Sequence, residues 1–367
     1  MKKIKIGILF GGRSGEHEVS IMSSKSVLSV LDPQKYEITE IGITHDGEWW
    51  SGENTWQKFQ QNSREGLYRV FLVPEPGKTI LFKHQKENVE AAAELDVIFP
   101  VLHGTFGEDG TLQGFFELAD IAYVGAGVLG SAVGMDKGLF KDVMRANDIP
   151  VVDWIVTSRL YAEKNIDALI KETEFLGTYP FFIKPANLGS SVGITKCKNR
   201  SDLMEGILEA CRYDRRILIE KGVENAREIE ISVLGNEFPR ASLPGEIKPA
   251  DEFYSYNAKY YDDRSELIIP APLSPEMIAE MQEIAIRTYK VIDCAGMARV
   301  DFLVNAKTNQ FYINEVNTIP GFTKISMYPK LWEASGLKYA ALVDELIQLA
   351  MERKAERNRS ERKFTKA

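Results

Sequence analysis

Cysteine is scarce in this chain: three residues in 367, Cys197, Cys211 and Cys294, odd in number and far apart. With no CxxC pair among them, neither a disulfide framework nor a cysteine-built metal site is expected. Histidine is nearly as rare. His17, His45, His84 and His103 show no HExxH or related spacing, so a histidine-ligated zinc site is not expected either. Long apolar runs are missing too. The longest uncharged stretch, Ile121–Met135, has 15 residues, four of them glycine, short of the ~20 apolar residues a membrane-spanning helix needs. The start, Met1-Lys2-Lys3 before Ile4–Phe10, has the outline of a signal peptide, but the apolar run stops at Gly11-Gly12-Arg13 with no small-residue cleavage site. A first β-strand in a soluble, cytoplasmic protein is the better reading. Charge of one sign is also absent. The balance of 45 Lys+Arg against 53 Asp+Glu, net −8, gives no general attraction to nucleic acid or to an anionic membrane.

What is present reads as an ordinary globular chain of two or three domains. Ile4–Phe10 is a buried strand, followed by Gly11-Gly12, then Ser14 as a helix N-cap with Glu16 and Glu18 in the first turn. A second strand follows at Tyr36–Thr44, so the chain opens as a doubly wound α/β domain that closes near Gly134-Met135. From Asp136 strands and helices alternate less regularly, which predicts an α+β unit. After Gly222 the chain is β-rich. Met297–Val304 and Gln310–Val316 form a hairpin, and a helix covers Tyr339–Met351. The tail Glu352–Ala367 has seven Lys/Arg, three Asp/Glu and no apolar period, and reads as a frayed, solvated helix end. The expected units are 1–135, 136–222 and 223–367. No repeat is visible.

Four constellations carry chemistry. In Met297–Val304 the period of two puts Arg299, Asp301 and Leu303 on one face; in Phe311–Asn317 it puts Ile313, Glu315 and Asn317 together. If Asn305 pairs with Phe311, Asp301 lies opposite Glu315 and Arg299 opposite Asn317. Facing carboxylates repel. Either a cation lies between them, and all-oxygen ligands suit Mg²⁺ or Mn²⁺, or Arg299 neutralises Asp301 on a polar outer face. Next, Phe181–Lys184 runs into Pro185-Ala186-Asn187-Leu188-Gly189-Ser190-Ser191-Val192-Gly193. That is a strand ending in a lysine and a Gly/Ser loop, which either cradles phosphate or is a plain hairpin; no Walker A motif exists in the chain. Third, Gly11–Glu18 departs from the G-x-G-x-x-G fingerprint. Its acids suit a small substrate's ammonium group or merely the helix dipole. Fourth, His103–Gly110 lies at the carboxyl edge of a parallel strand, where ligands bind, though a lone histidine is often structural.

Together, His103–Gly110 (HGTFGEDG), Met135-Asp136-Lys137, Lys184-Pro185 with Gly189–Gly193, and Asn314–Gly321 (NEVNTIPG) resemble the D-alanine–D-alanine ligases of the ATP-grasp superfamily. The resemblance runs from residue 4 to about 350. It implies an N-terminal Rossmann-like (pre-ATP-grasp) domain followed by a two-subdomain ATP-grasp fold. It also implies roles. Lys137 and Lys184 would contact ATP phosphates, and Glu220, the Val223 backbone and Glu228 would hold adenine and ribose. The Ser190-Ser191 loop would close over the phosphates, while Asp301, Glu315 and Asn317 would bind two Mg²⁺ (or Mn²⁺). Glu16 and His103 would surround the first D-alanine, Arg299 and the Gly321 N–H would stabilise an oxyanion, and Ser326 would receive the second D-alanine's carboxylate. A mobile loop at about 251–263 would bring Lys259 and Tyr260 to the reacting phosphate, Tyr260 linking to Ser190 and Glu16.

The implied activity is ATP-dependent joining of two D-alanines through an acylphosphate, with release of ADP and phosphate, for peptidoglycan precursors and cell-wall biogenesis. Tyr260 implies the dipeptide and not the D-alanine–D-lactate ester. The family is usually dimeric, so a homodimer is implied. Two departures stand out: Lys221–Arg227 looks longer than usual, and 49–95 is expanded without a readable motif.

Overall fold

The computed structural model describes residues 2–77, 79–85, 88–248, 266–323 and 325–362. The loop 251–263, with Lys259 and Tyr260, lies outside them.

Three sheets carry the chain. The first holds β1 (Ile4–Gly11), β2 (Tyr36–Ile43), β3 (Trp49–Ser51), β4 (Tyr68–Leu72), β5 (Ile80–Gln85), β6 (Asn88–Glu94), β7 (Val97–Pro100) and β8 (Ala122–Tyr123). Their order is β6-β5-β4-β3-β2-β1-β7-β8. The four strands β2, β1, β7 and β8 are parallel, whereas β3 to β6 add on antiparallel. The expanded segment 49–95 is this extension, and its helix α2 (Thr55–Gln60) packs against β2 and α1 (His17–Leu28). β1 is buried on both faces, as a central parallel strand must be. Ile6, Ile8 and Phe10 pack toward α1, while Leu9 faces α3 (Thr111–Leu118). After β8 comes α4 (Val128–Met135). It is a helix that the glycines of Ile121–Met135 had concealed.

The second sheet, β11-β10-β12-β9, is wholly antiparallel. Its strands are β9 (Trp154–Ser158), β10 (Phe181–Pro185), β11 (Thr195–Cys197) and β12 (Arg216–Lys221). Helix α5 (Lys137–Ala146) precedes it, and α6 (Arg159–Phe175) and α7 (Arg200–Tyr213) cover one face. Asp136 caps α5 by accepting from the Leu139 N–H at 2.9 Å, which sets Lys137 as the first helical residue.

The third sheet comprises β13 (Ala226–Gly235), β14 (Arg240–Ala241), β15 (Gly245–Lys248), β16 (Glu266–Ile268), β17 (Gly296–Asn305) and β18 (Phe311–Asn317). Its main order is β16-β15-β13-β17-β18. Helix α8 (Pro275–Val291) packs on one face through Met281, Ile284, Ala285 and Tyr289. α9 (Met327–Ala334) and α10 (Tyr339–Arg357) follow.

Three expectations need correction. Ser14 is not the cap of α1. Its hydroxyl donates to the His103 carbonyl at 2.8 Å and accepts from the Glu16 N–H, so the helix starts at His17. In the hairpin, Phe311 pairs with Val304 and not with Asn305, yet Asp301 still faces Glu315 and Arg299 still faces Asn317. A β-bulge at Asn314 reconciles the two, because one extra residue on β18 slips the alternation. For the same reason Ile313 does not share a face with Glu315 but lies in the core. Finally, 352–358 is not a frayed end. α10 continues to Arg357 and lies against the first sheet through Leu342, Val343, Leu346, Ile347 and Ala350. Arg353 donates to the Gly125 and Tyr123 carbonyls, and Arg357 pairs with Glu117 and Asp120. Basic residues in the last turn complement both the helix dipole and those acids.

Candidate active site

The carboxyl ends of β1 and β7 turn toward the gap between the second and third sheets. A cavity of about 520 Å³ lies in that gap, lined by Lys137, Lys184, Ser191, Glu220, Val223 and Glu228, among others. A smaller one of about 80 Å³ adjoins it and is lined by Glu16, His103, Arg299, Asn317, Gly321 and Ser326. Gly189, Ser190 and Glu315 border both. The fold therefore draws the sequence candidates from six separate segments, 16, 103, 137, 184–191, 220–228 and 299–326, into one cleft.

The polar face of the third sheet carries three acids in a row across adjacent strands. Glu230 pairs with Asp301, and Asp301 with Glu315. Glu230 was missed in the sequence, though the period of two along β13 places it on the same face as Glu228. Arg299 lies among them. Its Nε and Nη2 donate to the two Asp301 oxygens at 2.7 Å each, and Nε also lies 2.9 Å from Glu230 Oε2. Burial acts against its charge, but Asp301 and Glu230 outweigh it and hold the guanidinium firmly protonated. Asn317 Nδ2 donates to Asp301 at 3.0 Å. Asp301, Glu315 and Asn317 carry hard oxygen donors of the kind that suits Mg²⁺ or Mn²⁺, and since Arg299 engages both Asp301 oxygens, a cation there would share or replace that pairing.

The lysines are organised by a buried acid. Glu220 Oε2 lies 2.5 Å from Lys184 Nζ, and Oε1 lies 2.7 Å from Lys141 Nζ at an angle poor for a hydrogen bond. Burial raises the Glu220 pKa, but the two lysines prevail and bring it down to about 2. Both oxygens thus face lysines, and a contact from the Glu220 carboxylate to adenine or ribose would use their remaining lone pairs. Lys141 was also missed. It lies one helical turn after Lys137 and is fully buried, a position a lysine keeps only when paired. Lys184 further donates to Asn314 Oδ1 at 3.1 Å, so the bulged residue reaches the cleft.

Lys137 Nζ donates to the Leu188 carbonyl at 2.8 Å and lies 3.6 Å from Glu315 Oε2. It ties the 186–193 loop to the acid row. In that loop Ser190 and Ser191 both have left-handed backbones, φ 53° and 60°, which stores strain of order 1 kcal/mol or more at each residue. The Ser190 hydroxyl donates to Glu16. Gly189 passes so close to Glu16 that a Cβ there would lie 2.7 Å from Oε2.

His103 lines the small cavity, yet both ring nitrogens are engaged by the protein. Nδ1 faces the Ile319 carbonyl at 3.1 Å and Nε2 faces Ser23 Oγ at 3.0 Å. A carbonyl only accepts, so Nδ1 carries the proton and Nε2 accepts from Ser23. Burial pushes the His103 pKa down, in keeping with a neutral ring. Glu108, quoted in the motif but given no role, accepts from the Gly104 N–H at 2.8 Å and the Ile319 N–H at 3.3 Å. Burial and the neighbouring Glu16 raise it to about 8. Ser326 Oγ accepts from the Thr323 N–H at 3.0 Å, and a Cβ on Gly321 would meet that oxygen at 2.7 Å.

Comparison with known proteins shows the family. Residues 5–126 match the family model "D-ala D-ala ligase N-terminus" and residues 143–348 match "D-ala D-ala ligase C-terminus". The chain is 48% identical to the D-alanine–D-alanine ligase of Natranaerobius thermophilus over the whole of both chains. It is 52% identical to that of Thermoanaerobacter pseudethanolicus, over 96% of this chain and 98% of the relative. Among solved structures, the D-alanine–D-alanine ligase of Coxiella burnetii superposes with a TM-score of 0.83 at 38% identity, covering 98% and 97% of the two chains. The VanG D-Ala:D-Ser ligase of Enterococcus faecalis gives 0.84 at 35%, covering 95% and 100%. This chain belongs to the D-alanine–D-alanine ligase family.

Proposed function

We propose that the protein joins two molecules of D-alanine into D-alanyl-D-alanine at the expense of ATP, as a step toward peptidoglycan precursors. The observation that carries this is the convergence of the acid row, Arg299, the two lysines and Glu16 on two adjoining cavities, one large enough for a nucleotide and one suited to small zwitterions.

The chemistry follows from the residues. A carboxylate is a poor electrophile, so a carboxylate oxygen of the first D-alanine takes the γ-phosphoryl group and ADP leaves. Transfer of this kind depends on positioning and charge neutralisation. Lys137 and Lys184 supply fixed charges to the phosphates, and the Ser190-Ser191 loop offers hydroxyls and N–H groups. Val223 and Glu228 line the nucleotide end. Asp301, Glu315 and Asn317 would hold Mg²⁺, which when bound neutralises the transferring group. Glu16 receives the first substrate's ammonium. His103, with both nitrogens engaged, acts by fixing α1 and the 319–321 segment. The second D-alanine's neutral amine then attacks the acyl carbon, Arg299 and the Gly321 N–H stabilise the oxyanion, Ser326 receives the second carboxylate, and the acyl–oxygen bond breaks so that phosphate departs with the amine's proton as the amide forms. Lys259 and Tyr260 belong to the same reading as closing groups over the phosphate.

We read the chain as three units, 1–135, 136–222 and 223–367, with α10 returning to the first. A homodimer and a cytoplasmic location also belong to this reading, supported by the family and by the lack, among the described residues, of any helix long and apolar enough to cross a membrane.

The test is product identification. The protein with ATP, Mg²⁺ and D-alanine should release phosphate and yield D-alanyl-D-alanine, and adding D-lactate or D-serine at neutral pH should leave this the main product. A mixed product dominating, or phosphate release driven by L-amino acids instead, would overturn the assignment.

A further inference from the structure

At the first turn of α1, beside a cavity that shares no lining residue with the cleft, His17, Glu18 and His45 each present one ligand atom, all within 4.8 Å of one another. The two histidines are 28 positions apart, so no linear spacing reveals them; the turn after β2 folds His45 onto the first turn of α1. Their rings stack with centroids 3.8 Å apart at 24°, so the exposed His45 ring turns off the stack for both in-plane lone pairs to meet one ion. His45 Nε2 lies 3.3 Å from Glu18 Oε1, the separation of two ligands each ~2.0–2.1 Å from a tetrahedral zinc.

His17 is the fixed member. It is buried, and its Nδ1 faces the Gly12 carbonyl at 2.8 Å. A carbonyl only accepts, so the proton sits on Nδ1 and the Nε2 lone pair points away. A second hydrogen bond of this kind is what orients metal-binding histidines. Burial, reinforced by the neighbouring His45, also favours the neutral ring that a metal requires. Glu18 and His45 are more than half exposed, at 57% and 62% of their side chains, so they have the freedom to close the remaining gap.

The three residues border a cavity of about 480 Å³ that gives access for the ion and its waters. Two cations share that cavity, Lys25 and Arg64. Both lie over aromatic rings, Lys25 5.2 Å from the centroid of Trp56 and Arg64 3.7 Å from that of Phe59.

We propose that His17, Glu18 and His45 form a second divalent-cation site, for a borderline transition ion such as Zn²⁺, with solvent completing the coordination. Two imidazoles and one carboxylate are a ligand set that zinc accepts with an open position. It differs in kind from the all-oxygen set of the cleft. The site stands independently of the ligase reading.

The test is equilibrium dialysis of the full chain against micromolar Zn²⁺ in millimolar Mg²⁺, with thermal unfolding in parallel. The wild type should retain one Zn²⁺ per chain and melt at a higher temperature with it. His45→Ala, an exposed position outside the cleft, should lose both effects, while Glu315→Gln should keep them. No zinc on the wild type, equal uptake by His45→Ala, or loss in Glu315→Gln instead would overturn the site.

Discussion

Glu220 shows how one residue sets the charge of the cleft. Its carboxylate, brought down to about 2 by Lys141 and Lys184, contributes stability that is present above the ordinary carboxylate range and is lost as pH falls through about 2. Lys141→Met removes one cation from a fully buried cluster. It should cost about 3 kcal/mol of stability and raise the KM for ATP more than it lowers kcat, read by denaturant unfolding and steady-state kinetics. Glu108 runs the other way. Its pKa is raised to about 8, so its contribution is full below the ordinary carboxylate range and is lost as pH rises through 8. The melting temperature of the wild type should therefore drop more between pH 5 and 9 than that of Glu108→Gln, in scans flanking that value of about 8; equal slopes would remove Glu108 as the cause. Under the proposed metal role, Glu315→Gln should reduce turnover by at least ~100-fold, since a ligand's partners alone are worth 10–100-fold, with little change in the unfolding midpoint. At this scale Arg299, Asp301 and Glu315 were legible in the hairpin, whereas Glu230 was passed over although the period of two along β13 marks it. Lys141 was not, because a lysine on an amphipathic helix reads as solvated until its burial is seen.

Among the elements, the hairpin β17–β18 is the most instructive. Its pairing at Arg299 and Asp301 is the expected one, but the expectation rested on an anchor at Asn305 that fails. The bulge at Asn314 absorbs the difference. A bulge has no fixed signature in one sequence, since it inserts a residue without altering composition. It also brings Asn314 to Lys184, so Asn314→Ala should loosen that lysine and raise the KM for ATP by a few fold, the loss of about 1 kcal/mol for one hydrogen bond. Helix α10 teaches the converse. Its last turn looked solvated because its basic residues have no apolar period, and their partners, Glu117, Asp120 and the 123–125 carbonyls, come from far earlier in the chain. Truncation after Met351 should lower stability by roughly 2 kcal/mol, the scale of one or two charge-assisted hydrogen bonds. An unchanged melting curve would show that the turn only rests there.

For the whole molecule, the parallel strands of the first sheet and the antiparallel character of the later ones were legible from hydrophobic pattern. The packing of α10 onto the first sheet was not, since pattern alone does not say which distant face covers an apolar stripe. That packing links the last helix to the sheet whose loops carry Glu16 and His103, while the third sheet carries the acid row. The proposed reading sets a substrate carboxylate toward Lys137 and Lys184 and makes a definite claim about the order of steps: the carboxylate oxygen is phosphorylated before the amine attacks. D-alanine labelled with ¹⁸O in its carboxylate tests this directly. With ATP and Mg²⁺ the released phosphate should carry one ¹⁸O per dipeptide formed. Phosphate free of label, with the dipeptide still made, would contradict the account.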